Sequence, residues 1–215
     1  MVNPWTKRKR TLRGDYRIFK VYEQVLLHPK TGGNFSAFII DSRPWVNIIP
    51  VTPDNEVVLI SQYRFGSDAI SIEIPGGIIE EGEDPQDAAA RELLEETGYE
   101  GKIVKIGEAS PNPALHPFKC HMFLAQDVQQ VAGQDLDPNE LIDIQLVPLK
   151  DIPDMIRSGQ INHSLVIDAF FYASLYRGFN PFWTEFQADY KQRKTLKLKV
   201  EKLPRITRFV TEKCL

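Results

Sequence analysis

Glu92, Glu95 and Glu96 stand three and four positions apart in the middle of the chain. On a helix that spacing gathers their side chains on one face. Carboxylates so crowded repel, at about 0.2–0.5 kcal/mol for each like pair, and a bound cation removes that cost. The ligands on offer are hard oxygens, which suits magnesium, with manganese also possible, better than zinc. A magnesium ion held by a few carboxylates keeps positions for water and for phosphate oxygens. An isolated Glu-x-x-Glu-Glu would read instead as a solvated acidic face, so the surrounding residues decide.

Those surroundings predict a helix over Pro85–Thr97. Asp84 is a good N-cap, Pro85 suits the first helical position, and Asp87 puts negative charge where the helix dipole favours it. Gly98 supplies a left-handed stop. Ala90, Leu93, Leu94 and Thr97 recur at helical spacing as a buried stripe, with the three glutamates expected on the opposite face. Just upstream, Pro75-Gly76-Gly77 ends an apolar run, and the two glycines allow the backbone to approach a ligand closely.

The remaining composition excludes more than it assigns. A chain of 215 residues suffices for one sizeable core, and its formal net charge of −3 gives no reason to expect nucleic acid as a partner. Cys120 and Cys214, the two cysteines, fit a reducing compartment better than a disulfide framework. No apolar run is long enough to cross a bilayer, and the basic N-terminus lacks the apolar core of a secretory signal. The cytoplasm is the expected location, with no membrane partner.

Three regions follow along the chain: 1–43, an N-terminal arm and β-hairpin subdomain; 44–180, the main domain; and 181–215, a C-terminal tail rich in Lys and Arg. Residues 1–15 read as a solvated basic arm, with a phosphate- or nucleic-acid-binding arm as the alternative. Tyr16–Leu27 and Phe35–Ile40 read as strands around a turn at Gly32-Gly33. Further strands are expected at Val46–Val51, Val57–Arg64, Ile70–Ile74, Gly101–Glu108, Lys119–Ala125 and Leu141–Val147. Helices are expected at Ile152–Arg157, at Ser164–Tyr176 and over 184–194 in the tail. Residues 127–139 read as a polar, mobile loop. Strands and helices in this alternation predict a mixed α/β sandwich.

The full pattern is Gly77, five residues, Glu83, seven residues, Arg91-Glu92-Leu93, one residue, Glu95-Glu96, one residue, Gly98-Tyr99. This resembles the signature box of the Nudix hydrolases, with Tyr99 a mild departure at an aliphatic position. The resemblance spans roughly residues 16–178. It implies an α/β/α sandwich with a mixed sheet, plus a small N-terminal β subdomain. It also implies magnesium-dependent hydrolysis of a nucleoside diphosphate joined to another group X, by attack of water on phosphorus.

Carried over residue by residue, Glu92 and Glu96 match the main metal-binding carboxylates, and Glu95 is a third candidate. The Gly76 carbonyl completes the metal shell, and Arg91 matches an arginine that holds the neighbouring glutamates. Glu83 is either structural or a distant ligand. The general base in the related branch sits before the last strand; Glu140 is the first candidate and Asp137 the second. Failing these, Glu95 or Glu96 activates water itself.

Gln62-Tyr63-Arg64, Glu73-Ile74-Pro75-Gly76-Gly77 and a downstream proline, Pro113 or else Pro111, resemble the ADP-ribose pyrophosphatase and nucleoside diphosphate sugar branch. There Arg64 and Glu73 are expected to face the nucleotide, and Pro113 to contact substrate. In that branch the N-terminal β region is exchanged between protomers, so a homodimer is expected. The loop Pro111–Pro117 departs from the branch and leaves X open. His116 in that loop is a minor candidate for a phosphate or sugar contact, and His121 is assigned to packing. Alternatives are hydrolysis of NADH or of a capped RNA end, or a module that senses a nucleotide sugar without cleaving it.

Overall fold

The computed structural model describes residues 2–176. Residues 1–173 form one compact unit. The expected tail helix over 184–194 and Cys214 lie outside the described residues.

The first three strands, β1 (Thr6–Asp15), β2 (Lys20–Leu27) and β3 (Asn34–Asp41), make an antiparallel sheet in the order β1-β2-β3. Here the structure corrects the reading of the basic arm: it is a strand, although most of its side chains remain exposed. Thr6 to Asp15 pairs along the whole of β2, with register shifts between Lys7 and Lys9 and between Leu12 and Gly14. Counter-charges across the sheet explain why so basic a segment orders. Arg10 pairs with Asp41 and stacks 3.8 Å over the Tyr22 ring, while the Arg13 Nε donates to Glu23 at 2.9 Å. Positive side chains on an edge strand also deter pairing with another chain.

The main sheet has six strands: β4 (Trp45–Val51), β5 (Glu56–Arg64), β6 (Ala69–Glu73), β7 (Tyr99–Ala109), β8 (Cys120–Gln130) and β9 (Ile142–Pro148). Its order is β6-β5-β4-β8-β7, with β9 on β5. The sheet is mixed because β4 and β8 run parallel while the other pairs are antiparallel. The parallel pair is central, and its sequences are the near-continuous apolar runs that burial on both faces requires. Residues 127–139, expected as loop, begin as the end of β8. Tyr99↔Gln130 and Glu100↔Gln129 continue the ladder with β7.

Helix α1 (Pro85–Thr97) has the expected bounds. The Asp84 carboxylate accepts from the Gln86 amide, and Gly98 stops the helix at φ 74° with its amide on the Leu94 carbonyl. Val46, Ile48, Phe123 and Val128 of the sheet pack with Ala88, Ala89 and Leu93 on this side. Alternation sends Ile49, Met122 and Leu124 to the opposite face. After a single turn (Leu149–Asp151) come α2 (Ile152–Arg157) and α3 (Ser164–Leu175). Leu165, Val166, Ala169 and Phe170 of α3 are buried, and the Tyr172 hydroxyl donates to the Glu108 carbonyl of β7. The result is an α/β fold in which a mixed sheet carries the Glu-rich helix.

The buried face of α1 differs from the expected stripe. Ala88, Ala89, Leu93, Glu96 and Thr97 are the buried residues, while Ala90 is exposed and Leu94 half-buried. Two small alanines let the helix sit close to the sheet, and the inward face is rotated so that it takes Glu96 with it. Glu96 is therefore not on a solvent-facing side.

Candidate active site

The Pro75–Gly77 loop is drawn against the sheet before it meets the helix. The Ile48 amide donates to the Pro75 carbonyl, and the Val46 amide to that of Gly77, each at 2.9 Å. The approach is too close for side chains. A Cβ on Gly76 would lie 2.2 Å from the Val46 carbonyl oxygen, and one on Gly77 would lie 2.2 Å from the Glu92 Oε1. The clash at Gly76 is with fixed backbone and excludes a side chain, while that at Gly77 is with the movable end of Glu92; the loop backbone thus lies against the helix carboxylates. The Gly76 amide donates to Glu96 Oε2 at 2.9 Å.

Arg91 gathers the other carboxylates. Its Nη1 donates to Glu92 Oε1 at 2.8 Å and to Glu95 Oε2 at 3.0 Å. Its Nε and Nη2 grip both oxygens of Glu83 at 2.9 and 3.1 Å, and Nη2 also reaches the Ile78 carbonyl. Glu83 in turn accepts from the Glu80 amide, so the loop before the helix is fastened to Arg91. Hydrogen bonding to Arg91 holds the Glu83 carboxyl below its ordinary range.

The carboxylates closer to the core behave oppositely. Burial pushes Glu92 up, against the pull of Arg91, and the charges of Glu95 and Glu140 add to the rise. Burial pushes Glu96 up to about 8; the Gly76 amide opposes this, and the Glu92 and Glu140 charges reinforce it. The structure thus brings Glu92, Glu95, Glu96, Arg91 and the Gly76–Gly77 loop together. Glu140, before β9, lies near enough for its charge to act on them. It is exposed, and its carboxylate accepts from the Asp137 amide at 3.2 Å, so the two base candidates share one turn.

That loop is anchored, contrary to expectation. The Gln134 side chain donates to the Glu96 and Ile142 carbonyls at 2.7 and 3.1 Å, and the Asp135 amide to the Glu95 carbonyl at 2.9 Å. The bonds to Glu95 and Glu96 satisfy carbonyls that the end of a helix leaves without internal partners, and the bond to Ile142 ties the loop to β9.

On the other side of Gly76–Gly77 a cleft of about 740 Å³ opens. Arg64 and Glu73, on adjacent strands, line it as a bidentate pair at 2.8 and 2.6 Å. Burial alone would raise Glu73, but the Arg64 guanidinium outweighs it and holds the carboxyl below its ordinary value. Pro113 is exposed in the β7–β8 loop and is not among the residues that line the cleft. His116, in the same loop, packs its ring 4.8 Å from Phe118. His121 lies 3.7 Å from Glu108.

Residues 41–170 match the family model of the NUDIX domain. The chain belongs to the Nudix family. This Nudix chain is 31% identical over 118 residues to the ADP-ribose pyrophosphatase of Bacillus subtilis (strain 168), covering 54% of this chain and 64% of that one. The chain thus spans slightly less than two thirds of that relative's length. It is 30% identical over 165 residues to the ADP-sugar pyrophosphatase of Mus musculus, covering 72% of each. A solved ADP compounds hydrolase superposes with a TM-score of 0.72 at 23% identity, over 80% of this chain and 93% of that chain. At that identity the likeness is one of fold.

The donor set of the Nudix box fits a divalent cation in kind: oxygen ligands, with Glu92 and Glu96 both raised by burial and by neighbouring carboxylate charge. The side chains do not form a closed cage. Among the described residues no three His, Cys, Asp or Glu groups are arranged around a common ion position. One oxygen of Glu92 and one of Glu95 are engaged by Arg91, and one of Glu96 by Gly76. The second oxygen of each makes none of these bonds.

Sequence reasoning passed over Asn47 and His163, which line the cleft. Asn47 carried a signal, as the one polar side chain in the apolar run Val46–Val51. His163 had none beyond its place just before α3.

Proposed function

We propose that this Nudix protein is a magnesium-dependent hydrolase of the pyrophosphate bond in ADP-ribose or a similar nucleoside diphosphate sugar. Its products are a nucleoside monophosphate and a sugar phosphate. One observation carries this reading: the acidic box and the nucleotide-sized cleft meet at the same loop, Gly76–Gly77.

Glu92, Glu95, Glu96 and the Gly76 carbonyl would hold magnesium, or manganese in its place. Bound there, the ion supplies positive charge to the phosphate oxygens and lowers the pKa of water. Arg91 fixes the carboxylates by charge-assisted bonds, so they need no reorganisation when substrate arrives. Arg64 and Glu73 present a fixed charged wall to the nucleotide; Pro113, the expected substrate contact, stands outside the cleft lining, so the pair carries this part of the reading. Glu140, on an anchored loop beside the carboxylates, is the general base that takes the proton of the attacking water.

The relatives' names support the substrate class. The dimer is part of the same reading. Leu12, Tyr16, Ile18, Phe35 and Phe38 of the N-terminal sheet region are 49–69% exposed, apolar surface that a second protomer would cover. No helix among the described residues is long and apolar enough to span a membrane. The cytoplasm is the proposed location.

Incubation with magnesium chloride and ADP-ribose, followed by chromatography for AMP and ribose 5-phosphate, tests the activity. Saturable ADP-ribose binding with no AMP released would replace the hydrolase by a sensor. Light scattering tests the dimer, and a monomeric mass at working concentration would remove it.

A further inference from the structure

We propose that Asn47 and His163 form the subsite that recognises the hydroxyls of the sugar X. This deepens the reading above and rests on it, for it assigns X to the part of the cleft that Asn47 and His163 line. Asn47 lies on β4, with its Oδ1 2.6 Å from where a Cβ on Gly76 would stand. It therefore borders the loop at which the pyrophosphate would sit. His163 lies at the start of α3, where its carbonyl accepts from the Val166 and Ile167 amides at 3.1 Å. Both residues line the cleft with Arg64, Glu73, Gly76 and Gly77.

Their side chains share one anomaly. Asn47 Nδ2 and His163 Nδ1 are buried polar atoms with no hydrogen-bond partner among the described residues; His116 Nδ1, His121 Nδ1 and Gln145 Nε2 share that state but do not line the cleft. A buried polar group left without a partner costs about 1–3 kcal/mol, so native structures keep few of them. Two from separate elements, on one cleft, point to a ligand that supplies the missing partners. The Asn amide donates, and an imidazole nitrogen donates or accepts according to its tautomer. That combination matches neighbouring hydroxyls, which do both. A phosphate oxygen only accepts, so it cannot serve an imidazole nitrogen that is itself an acceptor. Arg64 and Glu73 satisfy each other, whereas Asn47 and His163 are the cleft residues with a buried side-chain atom left without a partner.

Calorimetric titration with ribose 5-phosphate, magnesium present, isolates the X half of the substrate; AMP isolates the other half. Asn47→Ala and His163→Ala should each weaken ribose 5-phosphate binding by about tenfold, the loss of one hydrogen bond to a buried partner. AMP should bind each variant as it binds the wild type. His163→Gln, which keeps a hydrogen-bonding end, should recover part of the loss, and Asn47→Ser should do so at its position. Unchanged ribose 5-phosphate affinity in both alanine variants overturns the subsite. So does weakened AMP binding with ribose 5-phosphate unaffected. Failure of the wild type to release AMP from ADP-ribose would overturn the hydrolase reading instead, because the calorimetry requires no turnover.

Discussion

Two arginines organise the two halves of the site, and they do so in different ways. Arg64 commits its fork to one partner, Glu73, which is 3% exposed. Arg91 divides its donors among Glu83, Glu92 and Glu95. The first arrangement is a closed ion pair that makes a stiff wall. The second holds several carboxylates in place while using only one oxygen of Glu92 and one of Glu95, so both can still bind something else. Glu96 stands apart from both arginines' hydrogen bonds. It is buried and neutralised by no guanidinium contact, with a single backbone amide for a partner. A carboxylate in that position disfavours the metal-free state, which is what a cation site requires.

The largest expected effect therefore belongs to Glu96. Glu96→Gln keeps size and the Gly76 contact but removes charge, and turnover of ADP-ribose should fall by about a thousandfold or more. Activity within about threefold of wild type would refute the assigned metal site. The same substitution should stabilise the metal-free protein, and the sign follows from the pKa. The folded value is raised from an ordinary 4.5 to about 8, so ionising Glu96 in the fold is unfavourable. The penalty is absent below 4.5 and grows as pH rises to about 8. Thermal melts in EDTA should show Glu96→Gln gaining on wild type across that window, with no difference at its acid end.

Arg91→Lys ranks next. An ammonium cannot span three carboxylates, and losses of about 10–100-fold in kcat are typical when groups that orient metal ligands are changed. The midpoint of the magnesium titration should move to higher concentration. If Arg91 served stability alone, melting would shift and the midpoint would not.

For the Arg64–Glu73 pair the comparison predicts a stability effect as well as a binding one. Arg64→Ala strands a buried carboxylate, at about 2–3 kcal/mol, the low side of the range because Arg64 itself is 45% exposed. Adding Glu73→Gln should restore much of the loss. Glu73 is held below its ordinary 4.5, so the stabilisation it gives is present above 4.5 and lost as pH falls through the lower folded value. Denaturant titrations of the single and double variants check both statements. Additive losses in the double variant would show that the pair is not coupled.

What could be read from the sequence follows the same division. Helix α1, its cap at Asp84 and its stop at Gly98 were legible because caps, proline and glycine act locally. The gathering of Glu92 and Glu95 was legible for the same reason. The burial of Glu96 was not: it depends on how far the helix rotates against β4 and β8, which the two small alanines decide. Nor could the sequence show β1, whose basic residues look solvated until Asp41 and Glu23 are placed opposite them. The anchoring of the loop before β9 hangs on Gln134 reaching back to the end of α1, a contact between residues 38 positions apart. Asn47 and His163 line one cleft only because the fold brings β4 and the segment before α3 to it.

The smallest expected effect decides the role of Glu83. It grips Arg91 with both oxygens and also accepts from the Glu80 amide, so each lone pair directed at a partner already has one. A carboxylate so engaged is poorly placed to take a cation as well, and it acts through Arg91. Glu83→Gln keeps part of that grip with a neutral acceptor, and kcat should fall by only about threefold to tenfold, with the magnesium midpoint unchanged. A ligand role would reverse the pattern, because losing a charged oxygen from the metal shell weakens magnesium binding before it slows turnover at saturating metal. Magnesium titrations of activity for Glu83→Gln beside Arg91→Lys separate the two: a shifted midpoint in both would make Glu83 part of the cation site, and a shift in Arg91→Lys alone would leave it the anchor of the arginine.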